Sequence, residues 1–332
     1  MNVRSVGIVG GGAWGTALAQ TMAEAGHDVI LWAYEAETVR EINEFHINRT
    51  YLAGVDLNHR LRATGQLSDV VACDVILLVP PAQHLRKIAE EMAPMWHDGK
   101  PVVVCAKGIE ISTGRLMGNV VSEALPNATL AILSGPSFAA DVARGLPAAL
   151  TLACANETSG RLLAEALGYR QFRIYWSQDL AGVQFGGAFK NVMAIAAGIV
   201  EGKALGASAH AALVARGFHE MRRLGQAFGA ETDTLMGLSG LGDLILTCGS
   251  AQSRNMSLGR ALGQGRTLEE VIGSRSSVTE GVYTAEAVHK ISQERNIEMP
   301  IAEAVYAIVS GAQDVDTAIS ELLSRPMKSE KH

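Results

Sequence analysis

Short apolar runs alternate with amphipathic segments through the first half of the chain. Uninterrupted or β-branched runs predict strands over 6–9, 28–32, 74–79, 101–106, 130–133, 148–153 and 172–175, with a short one over 61–64. Between them, 3.6-residue periodicity predicts helices over 14–25, 36–44, 85–92, 115–124 and 159–167. Strands that read as near-continuous apolar runs are covered on both faces, which predicts a mostly parallel sheet. Beyond about residue 180 the strand-like runs give way to helices, expected over 186–201, 207–229, 253–262, 284–295 and 300–309. In the second of these, Leu213, Phe218, Met221 and Leu224 share one face. The pattern predicts two domains, 1–180 and 181–332, the second all-helical.

One stretch gives the first half a chemical purpose. Gly10-Gly11-Gly12-Ala13-Trp14-Gly15 reads G-x-G-x-x-G, with Ser5-Val6-Gly7-Ile8-Val9 before it and a good helix former after it. Strand, glycine turn and helix are the context in which this pattern binds a dinucleotide. Gly10 permits the turn, Gly12 lets a pyrophosphate approach the backbone, and Gly15 lets helix and strand pack closely. Free N–H groups at the helix start would meet the phosphates. The fold class expected is therefore α/β, an N-terminal doubly wound Rossmann-type sheet followed by an all-helical C-terminal domain.

Bulk composition narrows the setting. The 332 residues are 48% apolar and 19% charged, as in a globular protein with ample core. A net charge of −6 argues against nucleic acid or an anionic membrane as partner. An anionic substrate must then be held by local cations. Cys73, Cys105, Cys154 and Cys248 lack metal-ligand spacing and sit mostly in apolar surroundings, so buried thiols are expected. The apolar stretches, broken by Gly, Pro or Asn, read as too short to span a bilayer, and no signal peptide precedes the first strand. A cytoplasmic protein is expected.

Ligands on such a sheet bind beyond the carboxyl ends of the strands, which selects the polar residues to weigh. Tyr34-Glu35 ends the second strand, and Glu35 lies about 20 residues past Gly15, where an acid can bind the adenosine ribose or merely start a helix. Val79-Pro80-Pro81 makes a rigid turn. Lys107 follows Val-Val-Val-Cys-Ala and points to the cleft. Ser134-Gly135-Pro136-Ser137 reads as a glycine turn with a hydroxyl cap on the next helix. In the second half, Phe185-Gly186-Gly187-Ala188-Phe189-Lys190-Asn191-Val192 reads as a helix start with a lysine among small and apolar residues. Desolvation there would lower its pKa and make it a usable acid–base group. Leu238-Ser239-Gly240-Leu241-Gly242-Asp243 reads as a glycine-lined loop presenting one carboxylate. Ser253-Arg254-Asn255 offers a guanidinium and an amide at a helix start, suited to phosphate. His210 and His219 lack the H-x-x-x-H metal spacing and read as structural or solvated.

Taken in order, the glycine fingerprint, Ala106-Lys107-Gly108, Ser134-Gly135-Pro136-Ser137, Gly187-Ala188-Phe189-Lys190-Asn191, Gly240-Leu241-Gly242-Asp243-Leu244-Ile245-Leu246-Thr247-Cys248, Ser253-Arg254-Asn255 and Thr279-Glu280-Gly281 closely resemble the bacterial NAD(P)-dependent sn-glycerol-3-phosphate dehydrogenases, over nearly the whole chain. The resemblance implies reversible reduction of dihydroxyacetone phosphate to sn-glycerol 3-phosphate with NADPH or NADH and no metal, feeding phospholipid synthesis. It implies a homodimer. It implies Lys190 as the catalytic acid–base group, aided by Lys107 and Asp243. Lys107, Gly135, Ser137, Lys190, Asp243, Ser253, Arg254 and Asn255 would face the substrate. Gly10, Gly12, Ala13, Trp14, Gly15, Tyr34, Lys107, Ala139, Arg254, Val278 and Glu280 would face the cofactor. Two positions depart from the family's habit. Position 34 is often basic or His and is Tyr here, followed by Glu35, which argues against a strict NADPH preference. Position 13 is often Ser and is Ala here, which removes a hydroxyl but no backbone donor. The competing readings are a helical-domain dehydrogenase acting on a hydroxy acid such as 6-phosphogluconate or ketopantoate, and a dinucleotide sensor without turnover.

Overall fold

The computed structural model describes residues 3–273, 279–327 and 329. Its first half is one eight-stranded sheet: β1 (Ser5–Val9), β2 (Asp28–Trp32), β3 (Leu61–Thr64), β4 (Val75–Leu78), β5 (Pro101–Val104), β6 (Thr129–Ser134), β7 (Ala148–Ala153) and β8 (Phe172–Ser177). Their spatial order is β3-β2-β1-β4-β5-β6-β7-β8. The order reverses beside β1, so a crevice opens between the ends of β1 and β4. All neighbours are parallel except β6 and β7. Central strands such as β4 and β5 are buried along their whole length, which is why they read as unbroken apolar runs.

From Leu180 onward the described residues form helices and turns. The Leu180–Gly202 helix is the axis of this half. It starts six residues earlier than its expected start at 186, because Asp179 caps it by accepting the Gly182 N–H at 2.7 Å. The Phe185–Val192 segment is therefore helix interior rather than a helix start. This helix also corrects the expectation of apolar stretches too short for a bilayer: it is long and apolar enough to cross one, yet its apolar window is 94% buried inside the protein.

Glycine lets its backbone approach that of the Arg254–Gly263 helix. A Cβ on Gly198 would lie 2.0 Å from the Met256 carbonyl oxygen, and one on Gly259 would lie 1.9 Å from that of Ile195. Phe185 and Phe189 stack at 5.6 Å in the same core, and Ile109 and Leu116, from the segment after β5, join it. The chain beyond β5 thus belongs to both halves, and Lys107 sits on it. All four cysteines are buried free thiols.

Candidate active site

The glycine turn follows β1 directly. Gly10 adopts φ +128°, and a Cβ there would lie 2.8 Å from the Val79 carbonyl oxygen after β4. A Cβ on Gly15 would lie 1.9 Å from the Gly10 carbonyl oxygen, so this helix and turn close only on glycine. Gly12 is different: its Cβ direction is open space. The Ala13–Glu24 helix it precedes has no side-chain cap and no acid in its first turn. An open cradle at an uncapped helix N-terminus fits a dinucleotide pyrophosphate.

Three charged side chains meet where the sheet's carboxyl edge touches the helical half. Lys190, on the Leu180–Gly202 helix, is 7% exposed, and Asp243 is wholly buried. The Lys190 ammonium donates to Asp243 Oδ1 and, at 3.0 Å, to Thr247 Oγ1. Lys107 donates to Asp243 Oδ2 at 2.7 Å and to the Gly135 carbonyl at 3.2 Å. Two ammonium groups share one carboxylate, leaving net positive charge in a largely buried place. Burial pulls the Lys190 pKa down to about 8, with Lys107 acting the same way and the Asp243 carboxylate opposing it. Gly187 makes room for this cluster: a Cβ there would lie 2.4 Å from Ser134 Oγ and 3.4 Å from the Lys107 stem.

Asp243 is not on a loop. Leu238–Gly242 forms a π-helical turn that runs directly into the Asp243–Cys248 helix. Gly240 is required because a Cβ would lie 2.0 Å from the Leu235 carbonyl, and Gly186 admits the Ser239 carbonyl from the opposite side. The turn thereby docks one helical turn away from Lys190. Thr247 carried no expectation, although its place four residues after Asp243 puts both on one helix face.

Two family models match the chain. The N-terminal model of NAD-dependent glycerol-3-phosphate dehydrogenase covers residues 5–160 and the C-terminal model covers 179–320. The chain belongs to this family. It is 58% identical over 327 residues to glycerol-3-phosphate dehydrogenase [NAD(P)+] of Parvibaculum lavamentivorans, covering 98% of each, and 53% identical over 330 residues to that of Caulobacter vibrioides, covering 99% of this chain and 100% of the relative. The crystal structure of glycerol-3-phosphate dehydrogenase from Coxiella burnetii superposes with a TM-score of 0.93 at 38% identity, covering 97% of this chain and 99% of that one.

In this member of the glycerol-3-phosphate dehydrogenase family, Asn255 reaches the neighbour of Lys190 and Glu280 reaches the turn after β4. Ser253 caps the Arg254–Gly263 helix by accepting the Met256 N–H, and Arg254 is exposed at its first position. Asn255 is buried. Its amide donates to Asn191 Oδ1 at 3.0 Å and its oxygen accepts the Gly281 N–H at 3.0 Å. It thus ties the Arg254 helix to the neighbour of Lys190. Glu280 accepts the Ala82 N–H at 3.0 Å through Oε1, its Oε2 is buried without a partner, and burial raises its pKa.

Ser137 does not cap a helix, contrary to its reading. Phe138 occupies the N-cap of Ala139–Ala143, and the Ser137 hydroxyl donates to the Gly135 carbonyl at 3.1 Å. Ala13 and Trp14 are half-buried beside the glycine turn, and Trp14 Nε1 is buried without a partner. Tyr34 is 84% exposed. Val278 lies outside the described residues. His210 is structural, its Nε2 lying 2.9 Å from the Cys248 carbonyl.

Proposed function

We infer that the chain interconverts dihydroxyacetone phosphate and sn-glycerol 3-phosphate, with the nicotinamide dinucleotide across Gly10–Gly15 and the substrate between Lys190 and Arg254. The observation that carries the assignment of roles is the buried Lys190–Asp243–Lys107 cluster. When bound, the nicotinamide supplies or takes the hydride. Reduction builds negative charge on the ketone oxygen, and the Lys190 ammonium is the group that stabilises and protonates it. Asp243 and Thr247 orient Nζ, and Asp243 keeps it charged despite burial. Lys107 holds the reacting end through the donor capacity left beside Asp243 and Gly135. Arg254 at its helix N-terminus takes the phosphate, with Ser253 and Asn255 fixing that terminus. Ala13, Trp14, Tyr34, Ala139 and Glu280 line the dinucleotide site, and Val278 is assigned to it by the resemblance alone.

The division at residue 180, a homodimer and a cytoplasmic protein without nucleic acid or membrane insertion belong to the same proposal. The net charge supports the absence of nucleic acid, and the buried Leu180–Gly202 helix supports the absence of insertion.

The purified chain should oxidise NADH or NADPH on addition of dihydroxyacetone phosphate, read by nicotinamide absorbance. No oxidation with either nucleotide would overturn the enzyme reading. The pH dependence has a fixed sign. Reduction needs the ammonium, so its kcat should hold below pH 8 and fall as pH rises through about 8. Oxidation needs the neutral amine and should rise through the same range. A profile for reduction that climbs between pH 7 and 9 contradicts the acid role.

Arg254→Ala should raise KM for dihydroxyacetone phosphate about ten- to hundredfold, the scale of a charge-assisted hydrogen bond, with a smaller fall in kcat. An unchanged KM would move the phosphate elsewhere.

A further inference from the structure

The segment after the Ala36–Phe45 helix is fastened to the glycine turn. Asn48 is buried, and its amide donates to the Gly11 carbonyl at 2.9 Å and to Thr16 Oγ1 at 2.8 Å. Asn48 Oδ1 in turn accepts the Tyr51 N–H at 3.1 Å, and Glu41 accepts the Arg49 N–H at 3.0 Å. Tyr51 is therefore carried on a short turn locked to the same backbone that cradles the pyrophosphate. Its hydroxyl donates to Glu35 Oε1 at 3.1 Å. Burial and the adjacent Glu35 carboxylate raise the Tyr51 pKa, so the phenol stays a donor at neutral pH.

Glu35 occupies the N-cap of the Ala36–Phe45 helix without making a capping hydrogen bond. Its side chain is thus held by Tyr51 rather than by the helix, and it remains exposed to an arriving ligand. Arg40 and Arg49, the arginines of this helix and turn, are each paired with an acid. Arg40 forms a two-point pair with Glu37, at 3.0 and 2.6 Å, and Arg49 pairs with Glu41 at 3.3 Å and lies over the Phe45 ring. Tyr34, before Glu35, is uncharged.

We propose that Tyr51 and Glu35 form one reading unit for the adenosine ribose, Tyr51 positioning the Glu35 carboxylate to accept the 2′-hydroxyl and exclude a 2′-phosphate, so that this chain prefers NADH to NADPH. The carboxylate gains a charge-assisted hydrogen bond with the hydroxyl and meets like charge with the phosphate. This inference rests on the dinucleotide site assigned above, and direct binding separates the two.

Titration of NADH and NADPH into the full chain, read by nicotinamide fluorescence, should give a Kd for NADH about tenfold or more below that for NADPH. The two nucleotides differ only at the 2′ position, so general damage to the loop moves both Kd values together, whereas loss of the reading unit moves their ratio. Glu35→Gln should bring the two Kd values within about threefold of each other, and Tyr51→Phe should shrink the ratio about threefold at unchanged Tm. Adding Tyr34→Arg to Glu35→Gln should invert the preference.

Equal or tighter binding of NADPH by the wild type overturns the unit while leaving the dinucleotide site intact. A ratio unchanged in Tyr51→Phe overturns the positioning role of Tyr51. Binding of neither nucleotide overturns the dinucleotide site and the inference with it.

Discussion

Replacing Lys190 by alanine is expected to lower kcat by about a thousandfold or more while the dinucleotide still binds. Two contributions vanish together: the proton donor, worth about 10²–10⁴ in rate, and the positive charge facing the developing oxyanion. The loss falls on turnover because Lys190 lies at the junction with the helical half, away from the Gly10–Gly15 cradle. The fold should tolerate the change. Removing one of two ammonium groups leaves Lys107 and Asp243 as a simple pair at 2.7 Å, with no buried charge abandoned. Lys190→Arg should not restore activity, since a guanidinium gives up no proton near neutrality. Steady-state kcat beside the Kd for NADH by fluorescence checks this. Near wild-type turnover in Lys190→Ala would remove it from the chemistry.

How much of this was legible before the structure depends on the kind of signal. The sheet strands were readable because burial on both faces leaves Ile76-Leu77-Leu78 and Val102-Val103-Val104 without a polar residue. The fingerprint was readable because Gly10 and Gly15 answer to backbone contacts that only glycine permits. The reversed direction of β7 was not, because apolar periodicity carries no orientation. The start of the Leu180–Gly202 helix was not legible before 186, because Gly182, Gly186 and Gly187 carry no side chain to show a 3.6-residue period. They are there for approach: Gly186 admits Ser239 and Gly187 admits Ser134 and Lys107. Short helices such as Leu67–Val71, Thr232–Met236 and Leu268–Gly273 span under two turns, too little for periodicity to show.

The site divided in the same way. Lys190, Lys107, Asp243 and Arg254 stood out as charges in small-residue or glycine-rich settings. That one carboxylate bridges both lysines depends on a π-helical turn, which no local pattern announces. Asn48 and Tyr51 carry no local signal of a role, since their partners Gly11, Thr16 and Glu35 are distant in sequence.

Asp243 is where stability and chemistry meet, and its substitution should have the widest consequences. Asp243→Ala leaves two ammonium groups facing each other with no counter-ion, one of them 7% exposed. Stranding a buried charge costs about 3–5 kcal/mol, so urea denaturation should show a loss of that order unless Lys190 sheds its proton. Shedding the proton relieves the repulsion and disables the acid. Asp243 is the charge that holds the Lys190 pKa up at about 8 against burial and Lys107. Without it the pKa falls further, and at pH 7 the group is an amine.

Asp243→Asn separates the two effects. It preserves shape and one acceptor oxygen, and its NH2 can donate to Lys190 only once that group is a neutral amine. The fold should therefore persist with Lys190 deprotonated, kcat for reduction should drop about a hundredfold at pH 7, and its falling limb should move to lower pH. Lowering the pH should then recover part of the activity in the variant but not in Lys190→Ala, which has no proton to regain. If Asp243→Asn keeps the wild-type limb near pH 8, the carboxylate is not what keeps Lys190 charged, and Thr247 and the bound substrate must carry that task.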